Sequence, residues 1–588
     1  MAERQYDKTF VSTEVFPINP VTTTSEKQST LIHPHKRIVI CCDGTWQSGV
    51  SLETDKSSHS NVSRLSRQVA KFGLDVHGNI WPQLVYYDAG VGSGDITSAE
   101  AKRQGGLGIG LLDNVLEAYN FLVNNYNAGD ELFFFGFSRG AYTVRATAGL
   151  VCDIGIISPY AMPGFLRKYN AWMKAKETPV DKAATAEEKK QRKSFKNYPD
   201  WVKFVNEDKP YEHGIPNVQV KVIGVWDTVG SLGVPELGKH GWLWQAKLDN
   251  YRFFNTELSD KIEHAYQALA LDEKREAFSP CLWTTKSWKD KNGNYIEEGS
   301  RAKTKLVQCW FPGAHINVGG GNSGVFDEGS DREQLSAICW AWMLDRVQPH
   351  LALSEAAIDK QLTWFRRMAA GEIAPEKTED GYIAWAYKGA KSLIWGSKNE
   401  MHPVSWALGA INNSYSGIYA WSTRESPRTP GKYPRVKDLP HGLPDHPIFC
   451  GETIHPCVYW RLSKHSGTAT PYAPEALKGW EAQETTKYFR GNGDAVSAPL
   501  RKKKGWKWVR SPVTKEENDE HHIHEIMEFE VGDFPPRIIV NGAGKEEIRT
   551  RGIEQRLLEQ ADDETKTAWN LRRNKWREAL ELSGDGKA

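Results

Sequence analysis

A dominant charge of one sign is missing from this 588-residue chain: 75 Lys and Arg stand against 74 Asp and Glu, a formal net charge of +1. A molecule-wide field that gathers nucleic acid is therefore excluded, and any contact with an anionic surface has to be local. Long apolar runs are also missing, since no stretch approaches the ~20 residues that a membrane-crossing helix needs. The first residues, Met1-Ala-Glu-Arg-Gln-Tyr-Asp-Lys8, lack the basic-then-apolar layout of a secretory signal, so the expectation is a soluble, cytoplasmic chain. Cysteine is sparse. The eight present, Cys41-Cys42 among them, follow neither zinc nor disulfide spacing and read as reduced core residues. His521-His-Ile-His524 has metal-ligating side chains without partner ligands at a convincing spacing and is assigned to a strand edge, so neither a metal nor a cofactor is expected.

What is present is globular: 39% hydrophobic and 25% charged residues, with 23 Trp. Residues 1–35 are polar and Ser/Thr-rich and read as a loose arm. From Arg37 onward, apolar runs alternate with helical periodicities. Strands are expected at Ile38–Cys42, Leu84–Tyr87, Leu132–Phe135, Val218–Trp226 and Leu306–Phe311. Helices are expected over Val62–Phe72, Leu111–Leu122, Ala141–Val151, Ile262–Leu271 and Leu335–Leu344. Alternation of this kind predicts an α/β fold, a mostly parallel, doubly wound sheet with helices on both faces. Two glycine-rich loops, Asp88–Gly94 and Gly105–Gly110, resemble a dinucleotide fingerprint. Neither has both the strand before it and the helix after it that such a site requires, so they read as turns shaping the mouth of a site.

The chain is organised around Leu132-Phe-Phe-Phe-Gly-Phe-Ser-Arg-Gly-Ala141. A serine with glycines two before and two after it, between a buried strand and a helix, is the layout of a nucleophile elbow; the tight turn leaves no room for a Cβ at those two positions. Asp227 and His315 likewise fall within about four residues of a predicted strand end, where parallel sheets place their ligands. The order serine, acid, histidine is that of α/β-hydrolases. The chemistry needs all three, because a hydroxyl becomes a good nucleophile when an imidazole takes its proton, and a carboxylate holds that imidazole in the right tautomer. Asp43, Asp88 and Asp272 remain rivals for the acid, and His264, His402 and His455 for the base. An oxyanion would be held by the backbone N–H of Arg139 and by a second N–H from Gly44 or Thr45.

Five ordered motifs carry a family resemblance. They are Cys42-Asp-Gly-Thr-Trp46, Tyr86-Tyr-Asp-Ala-Gly-Val-Gly92, Gly136-Phe-Ser-Arg-Gly-Ala-Tyr142, Val225-Trp-Asp-Thr-Val-Gly230 and Trp310-Phe-Pro-Gly-Ala-His-Ile-Asn-Val-Gly-Gly-Gly321. Together they resemble the α/β-hydrolase domain found in many fungal proteins and in the bacterial type VI secretion phospholipase effectors. The resemblance spans about residues 36–345 and recurs at Arg428-Thr-Pro-Gly-Lys-Tyr433 and Ile454-His-Pro456. It implies Ser138 as nucleophile, Asp227 as acid, His315 as base and a lipid acyl ester as substrate. Two positions depart from the family pattern: Asn317 stands where an acid is common, and Gln267 where a histidine is common.

Beyond the core, Ile383, Tyr387, Ala390 and Ile394 recur at helical spacing beside Trp385 and Trp395. This stripe reads either as an ordinary packed helix or as a lid over an acyl pocket. Arg501–Arg510 mixes cations with Trp and reads as a basic loop or as a contact for an anionic membrane surface. Lys189–Lys193 lies in a solvated insertion at about 175–215. The domain reading is an arm (1–35), a catalytic core (36–345), a lid-like insertion with return to the core (346–465) and an accessory region (466–588), whose last helix, about Asp563–Leu582, packs or assembles. The functional expectation is a serine hydrolase of lipid or phospholipid esters. The alternatives are a carboxylesterase or thioesterase for small acyl compounds, and a silent scaffold.

Overall fold

A computed structural model describes residues 11–12, 35–44, 59–74, 79–90, 111–165, 214–229, 258–283, 288–289, 295–296, 304–321, 332–370, 372, 406–414, 424–431, 451–465, 471–489, 501–510, 525–528, 537–540, 546–549, 552–561, 563 and 566. Its main sheet consists of β1 (Val11–Ser12), β2 (Arg37–Cys42), β3 (Phe72–Leu74), β4 (Ile80–Asp88), β5 (Glu131–Phe137), β6 (Val220–Trp226), β7 (Ile262–Ala270), β8 (Lys305–Phe311), β9 (Glu452–Ile454), β10 (Trp480–Phe489), β11 (Arg501–Arg510) and β12 (Glu525–Glu528). Their spatial order is β1-β3-β4-β2-β5-β6-β7-β8-β9-β12-β11-β10. From β4 through β12 every neighbouring pair is parallel. The outer pairs at both edges are antiparallel.

The apolar runs of β2 and β5 are continuous because helices cover both faces of the sheet. Ile38, Ile40, Leu132 and Phe134 pack on one face with Tyr119 and Leu122 of α2 (Leu111–Asn125) and with Val144 and Val151 of α3 (Ser138–Ile154). Val39, Cys41, Phe133 and Phe135 pack on the other with Val62 and Leu65 of α1 (Asn61–Gln68) and with Trp340 and Trp342 of α5 (Gln334–Val347). The short helix α4 (His315–Gly319) precedes α5. Each fully buried Phe contributes roughly 1.5–3 kcal/mol, so the strand that leads into Ser138 is also one of the most firmly held.

The structure corrects three sequence expectations. The helix expected over Val62–Phe72 stops at Gln68, and Phe72 opens β3. Ile262–Ala270 is a strand, not a helix. Its alanines suit a helix in isolation, but here it pairs with β6 on one side and β8 on the other, and small side chains fit under helices on both faces. Arg501–Arg510 is a strand paired along its whole length with Trp480–Phe489, not a loop. The 383–395 stripe with Trp385 and Trp395, Thr45, His402, residues 175–213, the loop positions 91–94 and 105–110, and residues 521–524 lie outside the described residues, as does most of the final helix. Among the described residues, no helix is long and apolar enough to cross a membrane.

Candidate active site

β5 passes into α3 without a connecting loop, and Ser138 stands at the junction with a positive φ of 57°. A non-glycine residue in this region costs on the order of 1–3 kcal/mol, which the surrounding packing has to hold in place. The flanking glycines explain how the turn closes. A Cβ on Gly136 would lie 2.7 Å from Ala141 Cα, and one on Gly140 would overlap the carbonyl oxygens of Cys42 and Asp43. The helix therefore crosses directly over the ends of β5 and β2, and Ser138 is left 7% exposed.

Ser138 Oγ lies 2.8 Å from His315 Nε2, and His315 Nδ1 lies 2.7 Å from Asp227 Oδ2. A carboxylate only accepts, so Nδ1 carries the proton and Nε2 turns its lone pair toward the serine. His315 opens α4 just beyond β8. Its N–H donates to Glu273 Oε2 at 3.2 Å, and Asn317 Oδ1 accepts the Ala314 N–H at 3.0 Å, which fixes the turn. The imidazole packs against Phe137 at 4.7 Å and meets Phe278 edge-on at 5.0 Å, so it has little freedom to swing away from Ser138.

Asp227 follows β6 with φ at 39° and is wholly buried. Its Oδ1 accepts the Ala270 N–H at 3.0 Å, and its Oδ2 accepts from Arg428 Nη2 at 2.9 Å as well as from His315. Burial alone would raise this carboxyl. The Arg428 guanidinium, His315 and the Ala270 N–H outweigh burial and hold the group below the usual carboxylate range. Glu273 behaves alike: burial opposes ionisation, but a two-pronged pair with Arg275 at 2.8 and 2.9 Å, with Arg428 and His315 nearby, brings it down to about 2. This arrangement can accept a proton from a hydroxyl at Nε2 and stabilise the resulting imidazolium, in a site largely closed to water.

The rival residues are engaged elsewhere. Asp43 accepts from Ser60 Oγ, Tyr87 Oη and the Gly44 N–H at 2.6, 2.7 and 2.7 Å. Asp88 accepts from Asn114 at 2.6 Å, and Asp272 from the Gly313 N–H at 2.7 Å and Tyr472 at 2.8 Å. His264 lies against His350, with 4.0 Å between ring centroids and the ring planes tilted by 34°. The expectation for Gly44 needs correction. It does lie against the elbow, where a Cβ would come within 2.8 Å of the Phe137 ring, but its N–H is taken by Asp43 and is not aimed at an oxyanion. Arg139 follows Ser138 in the first turn of α3.

Arg428, Glu273 and Phe278 were not singled out from sequence as site residues. The Arg428-Thr-Pro-Gly motif was the available signal, but its distance from Asp227 along the chain hid the contact. Both departures from the family pattern have local partners: Gln267 joins Thr228 at 2.7 Å to the Cys281 carbonyl at 3.0 Å, and Asn317 exchanges hydrogen bonds with Asn412 at 2.8 and 3.1 Å. A cavity of about 330 Å³, with Asp272, Glu273, Asn412, Ser414 and Tyr472 in its wall, adjoins the His315 turn through Glu273.

Against this geometry stand the similarities to known proteins. The family described as the catalytic domain of type VI secretion system phospholipase effectors of the Tle1 type matches residues 36–346. An uncharacterised protein of Saccharomyces cerevisiae is 26% identical over 269 residues, 42% of this chain and 33% of the yeast protein, so the match spans about a third of that relative's length. Among solved structures, the Tle1 effector bound to the VgrG spike is 14% identical, covering 63% of this chain and 87% of that one, with a TM-score of 0.30. An uncharacterised Pseudomonas aeruginosa protein is 16% identical over 57% of this chain and 53% of its own, with a TM-score of 0.28. The family match covers more than half of the sequence and contains Ser138, Asp227 and His315, and the chain belongs to the Tle1-like phospholipase effector catalytic-domain family.

Proposed function

We propose that this protein is a serine hydrolase that cleaves an acyl ester of a lipid or phospholipid. The observation that carries the reading is the run of short contacts from Ser138 through His315 to Asp227 at the carboxyl ends of β5, β8 and β6. In the first step the Ser138 proton passes to His315 Nε2 while Oγ adds to the acyl carbonyl. Collapse of the tetrahedral adduct breaks the ester C–O bond, and the leaving alkoxide takes the proton from His315. Water then adds to the acyl-enzyme, gives a proton to His315, and the acid departs as Ser138 recovers its own. These steps use side chains and water alone. The Arg139 N–H is the proposed first oxyanion donor, and with Gly44 engaged, Thr45 takes the second place. Trp385 and Trp395 are proposed as lid residues over the acyl chain, and Arg501–Arg510 as the contact with an anionic membrane surface.

The lipid assignment draws on the family, whose description names phospholipase effectors. It is tested by giving the protein and its Ser138→Ala control p-nitrophenyl esters of increasing chain length, acyl thioesters, and phospholipid vesicles. A lipid hydrolase gains up to ~0.8 kcal/mol per buried methylene, so rates should climb with chain length and rise again when substrate forms an interface. A short-chain optimum indifferent to vesicles would remove the lipid assignment, and no turnover above the control would remove the enzyme.

A further inference from the structure

Arg428 lies beyond the matched catalytic domain, yet it reaches the centre of the site. The segment that carries it is pinned on both sides. Glu276 N–H donates to Arg424 O at 3.2 Å and Ser426 N–H to Lys274 O at 2.7 Å, while Gly431 N–H donates to Glu452 Oε1 at 3.0 Å. Between these anchors Arg428 is 2% exposed, and its Nη2 donates to the same Asp227 oxygen that receives His315 Nδ1. Its Nε and Nη1 are buried and have no hydrogen-bond partner among the described residues. Leaving buried donors unpaired costs on the order of 1–3 kcal/mol each. Stability alone is therefore a poor reason for a guanidinium here, and an apolar residue of similar volume would often do as well.

Resting on the serine-hydrolase reading above, we infer that Arg428 is a positioning residue for that reaction: its Nη2 bond to Oδ2, with the Ala270 N–H on Oδ1, fixes the Asp227 carboxylate in one orientation, and its charge keeps the group ionised while buried. Among the described residues, the other charged groups near Asp227 and His315 are Glu273 and Arg275, which pair with one another after β7. Cys339 of α5 carries a thiol that burial, with Asp227 among the nearby charges, pushes well above its usual range, so it adds no charge here. Arg428 is thus the described cation that balances Asp227. Without it, only His315 and the Ala270 N–H are left to oppose burial, and Asp227 takes up a proton at higher pH.

The test is the rate at which a fluorophosphonate probe labels the full-length protein, measured against pH, because labelling reports the reactivity of Ser138 whatever the natural substrate. For Arg428→Gln, the acid limb of the profile should move up by roughly 1–3 pH units, the usual effect of one adjacent opposite charge. Arg428→Lys keeps the charge but loses the rigid planar group that aims Nη2 at Oδ2, so its limb should stay near that of the wild type while its plateau rate falls severalfold. The lysine variant also carries the test if the glutamine variant fails to fold. A glutamine profile that superimposes on the wild type, or a lysine variant that labels at the wild-type rate, overturns the inference and leaves the hydrolase reading standing. A wild-type protein without Ser138-dependent labelling defeats both.

Discussion

His315 and His455 are both almost fully buried, at 5% and 0% exposure, so accessibility does not choose between them; their partners do. His315 meets Ser138 and Asp227, whereas His455 Nε2 lies 2.7 Å from Glu554 Oε1 and its ring stacks on Phe311 at 4.6 Å. His455 therefore helps dock the helix α6 (Ile553–Leu558) onto the core. We expect His455→Ala to lower the melting temperature, since it leaves a cavity against Phe311 and Trp406 and removes the neighbour of the buried Glu554, while labelling of Ser138 in the remaining folded protein stays near normal. Asp227→Asn leaves the buried Arg428 without its counter-charge and should also lower the melting temperature, but here the folded protein itself should lose ester turnover, on the order of 10⁴-fold, because the amide favours the wrong imidazole tautomer. Turnover and thermal unfolding measured on both variants check the pair. An undiminished Asp227→Asn enzyme would move the acid role to another carboxylate.

At the scale of elements, β9 is paired with β8 in the sheet and also carries a carboxyl group that reaches the segment bearing Arg428. Glu452 Oε1 accepts from Trp310 Nε1 of β8 at 2.9 Å and from the Gly431 N–H at 3.0 Å, so it links a core strand to the segment that bears Arg428. Burial pushes Glu452 up to about 7, against the partial opposition of these two donors. A raised carboxyl holds its proton in the folded state after the unfolded chain has lost it. Its contribution to stability is full below about pH 4.5 and is lost as the pH rises through about 7. Glu452→Gln retains an acceptor and removes the titration. It should gain on the wild type by up to the order of 3 kcal/mol between pH 5 and pH 8 in denaturant melts. A difference between the two proteins that does not change with pH would show that Glu452 does not titrate in this window.

Across the whole molecule, strand register places the basic hairpin relative to the site. Cys309 of β8 is level with Thr453, Met527 and Lys507 in turn. β11 runs antiparallel to β12, so Arg501 lies six residues toward the carboxyl end of the core strands, whereas β8 ends two residues beyond Cys309. The paired strands β10 and β11 thus extend about four residues, ~13 Å, past that end, on the side of the sheet where Ser138, Asp227 and His315 lie. Lys502, Lys503 and Lys504 belong to this extension. We expect the Ser138→Ala protein to co-sediment with anionic phospholipid vesicles in preference to zwitterionic ones, and less as salt is added. Replacing the three lysines with alanine should weaken this by roughly 3 kcal/mol, about 1 per charge. Equal sedimentation with both vesicle types would remove the membrane contact from the proposed function.

The amino-acid sequence by itself determined the parts of this protein that depend on near neighbours. Four apolar residues followed by Gly-x-Ser-x-Gly make a buried strand and a tight turn whatever surrounds them, and strand ends beside Asp227 and His315 could be read from alternation and turn residues. What only the tertiary structure decided depends on strand order and on contacts between distant residues. It made Ile262–Ala270 a strand by placing it between β6 and β8. It committed the Gly44 N–H to Asp43, assigned His455 to Glu554, and brought Arg428 to Asp227 across 201 positions of sequence. No local pattern encodes such pairings, because they form only when the sheet has closed and the later segments have packed across its carboxyl edge.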